Sequence, residues 1–172
     1  MKAKLIQLFL KTKSVMHITL LCTGKTEETY LKEGIGLYRK RISHYLPFNI
    51  IELPVRKQWS GLPPSIAKVR EGEQILKQLG NSDFCVLLDE RGKLFDSRSF
   101  SEFIQLQMNR SVKNLFFVVG GAWGFSEEVY KAAHMKMSLS PMTFPHQMVR
   151  LLFTEQLYRA MTIWRNESYH ND

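Results

Sequence analysis

A continuous apolar segment that runs straight into glycines is the feature that most constrains this fold. Residues Leu115–Val119 are apolar at every position, and Gly120–Gly124 follows at once with the sequence Gly-Gly-Ala-Trp-Gly. A strand without polar alternation is buried on both faces, as in a parallel sheet that helices cover on both sides. The segment therefore predicts an α/β fold whose inner strand ends in a tight turn.

The rest of the chain alternates predicted strands and helices. The predicted strands are His17–Thr23, Phe48–Val55, Phe84–Asp89, Leu115–Val119 and Met135–Leu139. The first predicted helix is capped by Thr26 and carries an apolar stripe at Leu31, Ile35, Tyr38, Ile42 and Tyr45. The third opens with a capping box of Ser99 and Glu102. The others are Ser65–Leu79, Ser126–Ala133 and a last helix from His146 to about Arg165. A turn is predicted at Glu90–Lys93. This order predicts a mostly parallel sheet with helices on both faces.

Charge is a weak guide to the partner of this chain. The net charge is +8, but residues 1–15 hold four lysines and no acidic residue, so half of the excess lies in that segment. We interpret 1–15 as a dispensable extension and 16–172 as a single domain. The exposed segment Arg56–Pro64 is compatible with RNA contact and equally with a solvated connector.

The last predicted helix is apolar on most of its sides. Its apolar residues are Met148, Val149, Leu151, Leu152, Phe153, Leu157, Ala160, Met161, Ile163 and Trp164. This surface is wider than the stripe of about 100° that one sheet face absorbs. A second covering surface is expected, and the simplest one is a second copy of the chain in a homodimer.

Several classes of function lack their motifs. The five histidines and two cysteines form no metal-ligand spacing, so no metal is expected. The glycines are not spaced as Gly-x-Gly-x-x-Gly, and Gly-x-Ser-x-Gly is absent, which disfavours a nicotinamide enzyme and a serine hydrolase. No apolar run approaches the roughly 20 residues of a membrane span. Cys22 and Cys85 fall within predicted strands, so a cytoplasmic protein with buried thiols is expected.

Three segments follow predicted strands and are candidates for a ligand site. They are residues 88–92, 120–124 and 138–144. Ligands of open parallel sheets bind beyond the carboxyl ends of the strands, so these segments are expected to converge there. The ending Tyr169-His170 is ordinarily a disordered terminus.

Five motifs together resemble one family. They are Leu-Asp-x-x-Gly-Lys at 88–93, Phe-Val-Val-Gly-Gly-Ala-x-Gly-Phe at 117–125, Ser-Leu-Ser-Pro-Met-Thr-Phe-Pro-His-Gln at 138–147, Glu-Gln-Leu-Tyr-Arg-Ala at 155–160 and Tyr-His at 169–170. Over residues 16–172 the chain resembles the ribosomal RNA large subunit methyltransferase H family of the SPOUT superfamily. Five motifs in order are far more specific than any one of them.

The resemblance implies a fold, a cofactor and a substrate. The fold is a homodimeric α/β sheet with a deep C-terminal trefoil knot, and the substrate is 23S ribosomal RNA within the assembled ribosome, methylated at N3 of a pseudouridine. The residues implied to bind S-adenosylmethionine are Leu88, Gly120, Leu139, Ser140, Pro141, Met142, Thr143 and Phe144.

The resemblance also implies roles for the C-terminal tail, which contains Tyr169 and His170, and for three arginines. His170 would remove the N3 proton, and Tyr169 would help to hold the base. Both would act at the site where the partner subunit binds its cofactor. Asn171 stands where a basic residue commonly follows Tyr-His in the family. Arg91, Arg150 and Arg159 are candidates for RNA contact, and Arg150 and Arg159 equally for the dimer interface. Two alternatives stay open: a non-catalytic RNA-binding or ribosome-binding module, and a nucleotide enzyme unrelated to methylation.

Overall fold

A computed structural model describes residues 15–55, 59 and 61–169 as a five-stranded sheet and five helices. The strands are β1 His17–Thr23, β2 Phe48–Leu53, β3 Phe84–Leu94, β4 Asn114–Val119 and β5 Met135–Ser138. The helices are α1 Thr29–Ile42, α2 Pro64–Leu76, α3 Ser97–Asn109, α4 Glu127–Ala132 and α5 His146–Trp164. The strands lie in the order β2-β1-β4-β3-β5, and every neighbouring pair is parallel. The predicted α/β fold with a parallel sheet is confirmed.

Alternate side chains of the inner strands enter two separate cores. On β4, Leu115, Phe117 and Val119 pack with residues of α1, α3 and α5. Phe116 and Val118 point the other way and pack with Ile75 of α2 and Val129 of α4. Both faces of the sheet are therefore covered, which explains why β4 is apolar at every position.

The third strand departs from the prediction. The turn expected at Glu90–Lys93 is an excursion within a longer β3, because Met137 of β5 pairs with both Leu88 and Lys93. Gly92 lies so close to β5 that a Cβ placed on it would come within 2.5 Å of the Met137 backbone nitrogen. The absence of a side chain at Gly92 is what lets the strand rejoin the sheet there.

Two predicted helix caps are wrong. α1 begins at Thr29, and Thr26 is buried, where its backbone N–H and its hydroxyl both donate to Glu52. α3 begins at Ser97, because the carboxylate of Asp96 accepts a 2.7 Å hydrogen bond from the Ser99 backbone N–H. In both places the residue that was predicted to cap the helix instead donates hydrogen bonds to a nearby carboxylate, Thr26 to Glu52 and Ser99 to Asp96.

The broad apolar surface of α5 is covered largely by this chain itself. Phe153 packs on Phe117 of the sheet with ring centroids 4.6 Å apart and on Phe100 of α3. Tyr158 packs on Tyr38 of α1 at 5.8 Å. The breadth of this surface therefore does not by itself require a second copy, and the homodimer stays a prediction.

Within the described part of the chain, no helix combines the length and apolarity needed to span a bilayer. Cys22 and Cys85 are buried free thiols, as expected. Burial raises the pKa of each thiol to about 12. Residues 1–14, most of the predicted extension, lie outside the described residues.

Candidate functional site

The three predicted strand-end segments meet at one edge of the sheet. They line a cleft of about 640 Å³ at the carboxyl ends of β3, β4 and β5. This is where a parallel sheet places its ligand site, and the volume lies within the usual range of roughly 300–1,000 Å³ for small-molecule pockets. The expected convergence is found.

The residues expected at the cofactor line this cleft, with one exception. Those lining it are Leu88, Gly120, Leu139, Ser140, Met142, Thr143 and Phe144. Pro141 lies within the same loop but is not a lining residue. Arg91, expected to contact RNA, also lines the cleft.

The turn after β4 forms one wall. The Gly124 backbone N–H donates to the Gly121 carbonyl at 3.2 Å, which closes a four-residue turn directly beyond the strand. Gly124 has a φ of +74°, a conformation that glycine adopts without strain. The turn therefore presents glycine backbone toward the cleft and places Ala122 and Trp123 at its tip.

The loop of residues 139–144 forms the opposite wall and is held by its own side chains. The Ser138 hydroxyl donates to the Ser140 carbonyl at 2.8 Å, and the Ser140 hydroxyl accepts from the Met142 N–H at 2.9 Å. The Thr143 hydroxyl donates to Glu90 at 3.0 Å. The last bond ties this loop to the excursion of β3.

Asp89 organises that excursion. Its carboxylate accepts a 2.6 Å hydrogen bond from the Tyr130 hydroxyl and a 2.8 Å bond from the Arg91 backbone N–H. Burial, followed by the bond to Asp89, raises the pKa of Tyr130 to about 12, so the hydroxyl remains a donor at neutral pH. Asp89 and Tyr130 both line the cleft.

Sequence reasoning missed several lining residues, among them Lys68, Trp123, Tyr130 and His146. Lys68 and Tyr130 lie on helices whose patterns indicate only a buried and an exposed face. His146 begins α5, and burial together with the nearby Arg150 lowers its pKa. Trp123 and His146 lie inside the recognised motifs 117–125 and 138–147, so their places in those motifs were the available signal.

The position of Arg150 does not agree with a direct RNA contact. Its side chain is fully buried and donates to the Thr23 carbonyl at 2.8 Å, to the Thr26 hydroxyl at 2.9 Å and to Glu52 at 3.4 Å. Glu52 belongs to β2, so the guanidinium joins the ends of β1 and β2 to the first turns of α5. Removing an arginine from water is costly, and these partners offset that cost.

Tyr169 lies away from the cleft of its own chain. Its hydroxyl donates to Glu155 at 3.0 Å, and its ring packs on Tyr158 with centroids 4.7 Å apart. The guanidinium of Arg159 stands over the same ring at 4.9 Å and pairs with Glu155 at 2.6 Å. Along α5, Tyr158 is about 13 Å beyond the lining residue Val149, at 1.5 Å per residue. His170 and Asn171 lie outside the described residues.

No group of three or more histidine, cysteine, aspartate or glutamate side chains that could hold a metal ion occurs among residues 15–55, 59 and 61–169. The cleft instead combines glycine backbone and buried apolar side chains with hydroxyls and charged groups at its rim. Such a lining suits a flat organic ligand that carries polar substituents.

Comparison with known proteins decides the family. The family model described as "Predicted SPOUT methyltransferase" matches residues 16–170. A protein of Christiangramia forsetii named "Ribosomal RNA large subunit methyltransferase H" is 55% identical over 156 residues, which is 91% of this chain and 99% of the relative. The chain belongs to this methyltransferase family. A Parabacteroides distasonis protein of the same name is 51% identical over 91% of this chain and 100% of its own length.

Solved structures show the same fold. A probable methyltransferase from Bordetella pertussis Tohama I superposes with a TM-score of 0.53 at 12% identity, covering 89% of this chain and 99% of its own. A probable methylase family protein from Haemophilus influenzae Rd KW20 gives 0.51 at 13% identity, covering 91% and 71%. The fold of this chain is thus shared with proteins far removed in sequence.

Family membership confirms the resemblance and identifies the methyl donor as S-adenosylmethionine. It also rules out the alternative of a nucleotide enzyme unrelated to methylation. The volume, the glycine turn and the mixed polar and apolar lining of the cleft fit this cofactor.

Proposed function

We propose that this SPOUT methyltransferase methylates N3 of a pseudouridine in 23S ribosomal RNA on the assembled ribosome, in the cytoplasm. The observation that carries the proposal is the meeting of three motif segments in one cleft, in a chain whose curated relatives are named ribosomal RNA large subunit methyltransferases.

The residues of the cleft bind the cofactor and orient it. Leu88 and Gly120 contact the cofactor from β3 and the β4 turn, and the loop Leu139–Phe144 contacts it from the opposite wall. When bound, S-adenosylmethionine supplies an electrophilic methyl group. The hydrogen bonds of Ser138, Ser140 and Thr143 fix the loop beforehand, so alignment of the two reactants costs little further ordering.

The tail supplies the group that accepts a proton. His170 removes the N3 proton of the base, since an unperturbed imidazole with a pKa of roughly 6.5 suits a base near neutrality. Tyr169 holds the base beside it. The sulfonium–methyl bond of the cofactor would break as the methyl group joins N3, leaving S-adenosylhomocysteine, and the N3 proton would pass to the imidazole of His170 and then to solvent.

The tail of one chain serves the cleft of another in a homodimer. In support, Tyr169 packs on Tyr158, about 13 Å along α5 from Val149 in the chain's own cleft. Two chains related by a two-fold axis would each bring a tail to the other's cleft. The C-terminal part of each chain forms the trefoil knot of the family. Arg91 contacts RNA, and Arg159 contacts RNA or the partner subunit.

The deciding experiment measures transfer of labelled methyl to assembled ribosomes, large subunits and free 23S RNA in parallel. We expect saturable transfer to ribosomes, with the label located at N3 of a pseudouridine. Transfer to another base or to no RNA contradicts the proposal. Calorimetry with S-adenosylmethionine tests the remaining alternative, a non-catalytic RNA-binding module, which shows no saturable heat.

Mixing two inactive variants tests the shared site. Leu139→Arg blocks the cleft, and His170→Ala removes the base. If the tail acts in trans, heterodimers of the two regain one working site, and activity returns on mixing after reversible dissociation. Heterodimers that form and remain inactive, or full single-turnover activity in His170→Ala alone, contradict this arrangement.

A further inference from the structure

Trp123 occupies an unusual place in the cleft. It stands at the tip of the turn that the Gly124-to-Gly121 hydrogen bond closes, and the residue is 57% exposed although it lines the cleft. Within the described residues the indole enters no ring pair, cation contact or hydrogen bond. Packing of the chain's own core therefore does not explain why this position carries a large aromatic ring.

The cleft has an inner and an outer end. Val119 and Met137 are 3% and 1% exposed and form the inner end beside Gly120. Trp123 and, on the facing loop, Met142 at 72% are mostly exposed and form the outer end. A small, detached cofactor can reach the inner end. A base that remains attached to an RNA backbone meets the protein at the outer end.

We infer that the Trp123 indole is the surface on which a base of the RNA substrate stacks at the mouth of the cleft. This rests on the proposed function and adds a substrate-contacting residue to it. An exposed indole offers a broad face at little conformational cost, and stacking accepts any base because every base has a π-face. A base taken out of its helix loses its stacking neighbours, and the indole replaces one of them.

Two cationic side chains of the same cleft support an RNA occupant. Lys68 of α2 and Arg91 of the β3 excursion both line the cleft that Trp123 lines. Phosphate contacts position an RNA chain, whereas stacking holds the single base. The cleft thus presents both kinds of contact that a nucleotide within a chain requires.

The test compares Trp123→Ala, Trp123→Phe and the control Leu106→Ala, an exposed apolar residue of α3. Methyl transfer to ribosomes gives KM and kcat, equilibrium binding to large ribosomal subunits gives an affinity independent of chemistry, and calorimetry gives the S-adenosylmethionine Kd. We expect Trp123→Ala to weaken RNA affinity and raise KM about 10- to 100-fold with an unchanged cofactor Kd. Trp123→Phe restores most of the affinity, and Leu106→Ala matches wild type.

Two outcomes overturn the inference: wild-type RNA affinity in Trp123→Ala, or an equal loss of cofactor affinity, which would place the cofactor's adenine on the indole. Failure of the proposed function is distinguishable. In that case the wild-type protein transfers no methyl group to the pseudouridine, while the binding arm still reports whether Trp123 contacts RNA.

Discussion

The hydroxyl of Tyr130 donates a hydrogen bond of 2.6 Å to the carboxylate of Asp89, and this contact shapes the cleft. Tyr130 comes from α4 and Asp89 from β3, and Asp89 also holds the Arg91 backbone at 2.8 Å. The pair therefore fixes the β3 excursion against the helix that follows the glycine turn. Without it, the excursion that carries Arg91 loses one of its anchors.

Tyr130→Phe should weaken cofactor binding and destabilise the fold by at most a similar amount. A hydrogen bond of this kind contributes about 1 kcal/mol, so we expect the S-adenosylmethionine Kd to rise roughly fivefold and the free energy of unfolding to fall by no more than about 1 kcal/mol. Calorimetry and urea unfolding measure the two. Tyr30→Phe, at an exposed tyrosine of α1, is the control. An unchanged Kd would show that the excursion is held without this bond.

Arg150→Met should destabilise the whole fold. It removes the buried donor of the Thr23 carbonyl and the cation beside Glu52, which keeps only its hydrogen bonds from Thr26. We expect a loss of about 3 kcal/mol, or a fall in Tm of about 6–12 °C. Thermal and urea unfolding measure it. Arg70→Met removes an exposed pair with Glu73 and should change stability by less than about 1 kcal/mol. A stable Arg150→Met protein that fails only to bind RNA would instead support the RNA contact expected from the sequence.

Gly92→Ala should disrupt the pairing of β3 with β5. The added Cβ would lie 2.5 Å from a backbone nitrogen of Met137, which cannot turn aside as a side chain can. We expect a loss of about 1–3 kcal/mol and weaker cofactor binding. Gly36→Ala is the matched control, because a Cβ there meets nothing within 4 Å and helical alanine should stabilise by about 0.5–1 kcal/mol. Equal effects of the two changes would refute the close approach.

His146 should make the fold less stable in mild acid. Burial and Arg150 lower its pKa in the folded state, so the unfolded chain takes up a proton first as the pH falls through 6.5. As the pH falls, the resulting loss of folding stability grows until the pH reaches the lowered pKa of His146 in the folded state. Above about pH 7 this loss is absent. Urea unfolding at pH 7.5 and 5.5 should show a smaller difference for His146→Asn than for wild type. If His146→Asn and wild type lose the same stability between pH 7.5 and 5.5, the prediction is contradicted. His44→Asn is the control, because it removes an exposed imidazole.

The motif segments were predictable as a site because each follows a strand directly. Parallel strands end at one edge of the sheet, so Leu88, Gly120 and Leu139 had to approach one another once the strands were assigned. The reach of β3 to Leu94 was not predictable, because it depends on Met137 of β5 accepting two partners. The local pattern at Glu90–Lys93 is that of a turn.

The sequence by itself determined the order of the strands, the fold class and the family, because these depend on the local pattern of apolar residues and on motifs within single segments. Tertiary structure decided which polar groups meet. Arg150 finds Thr23 and Glu52 across 127 and 98 positions, and Tyr130 finds Asp89 across 41. It also decided that Trp123 stands at the rim of the cleft with its indole exposed. Periodicity reports which face of an element is buried, whereas the partner of a charged or aromatic side chain depends on distant segments that the packed sheet brings together.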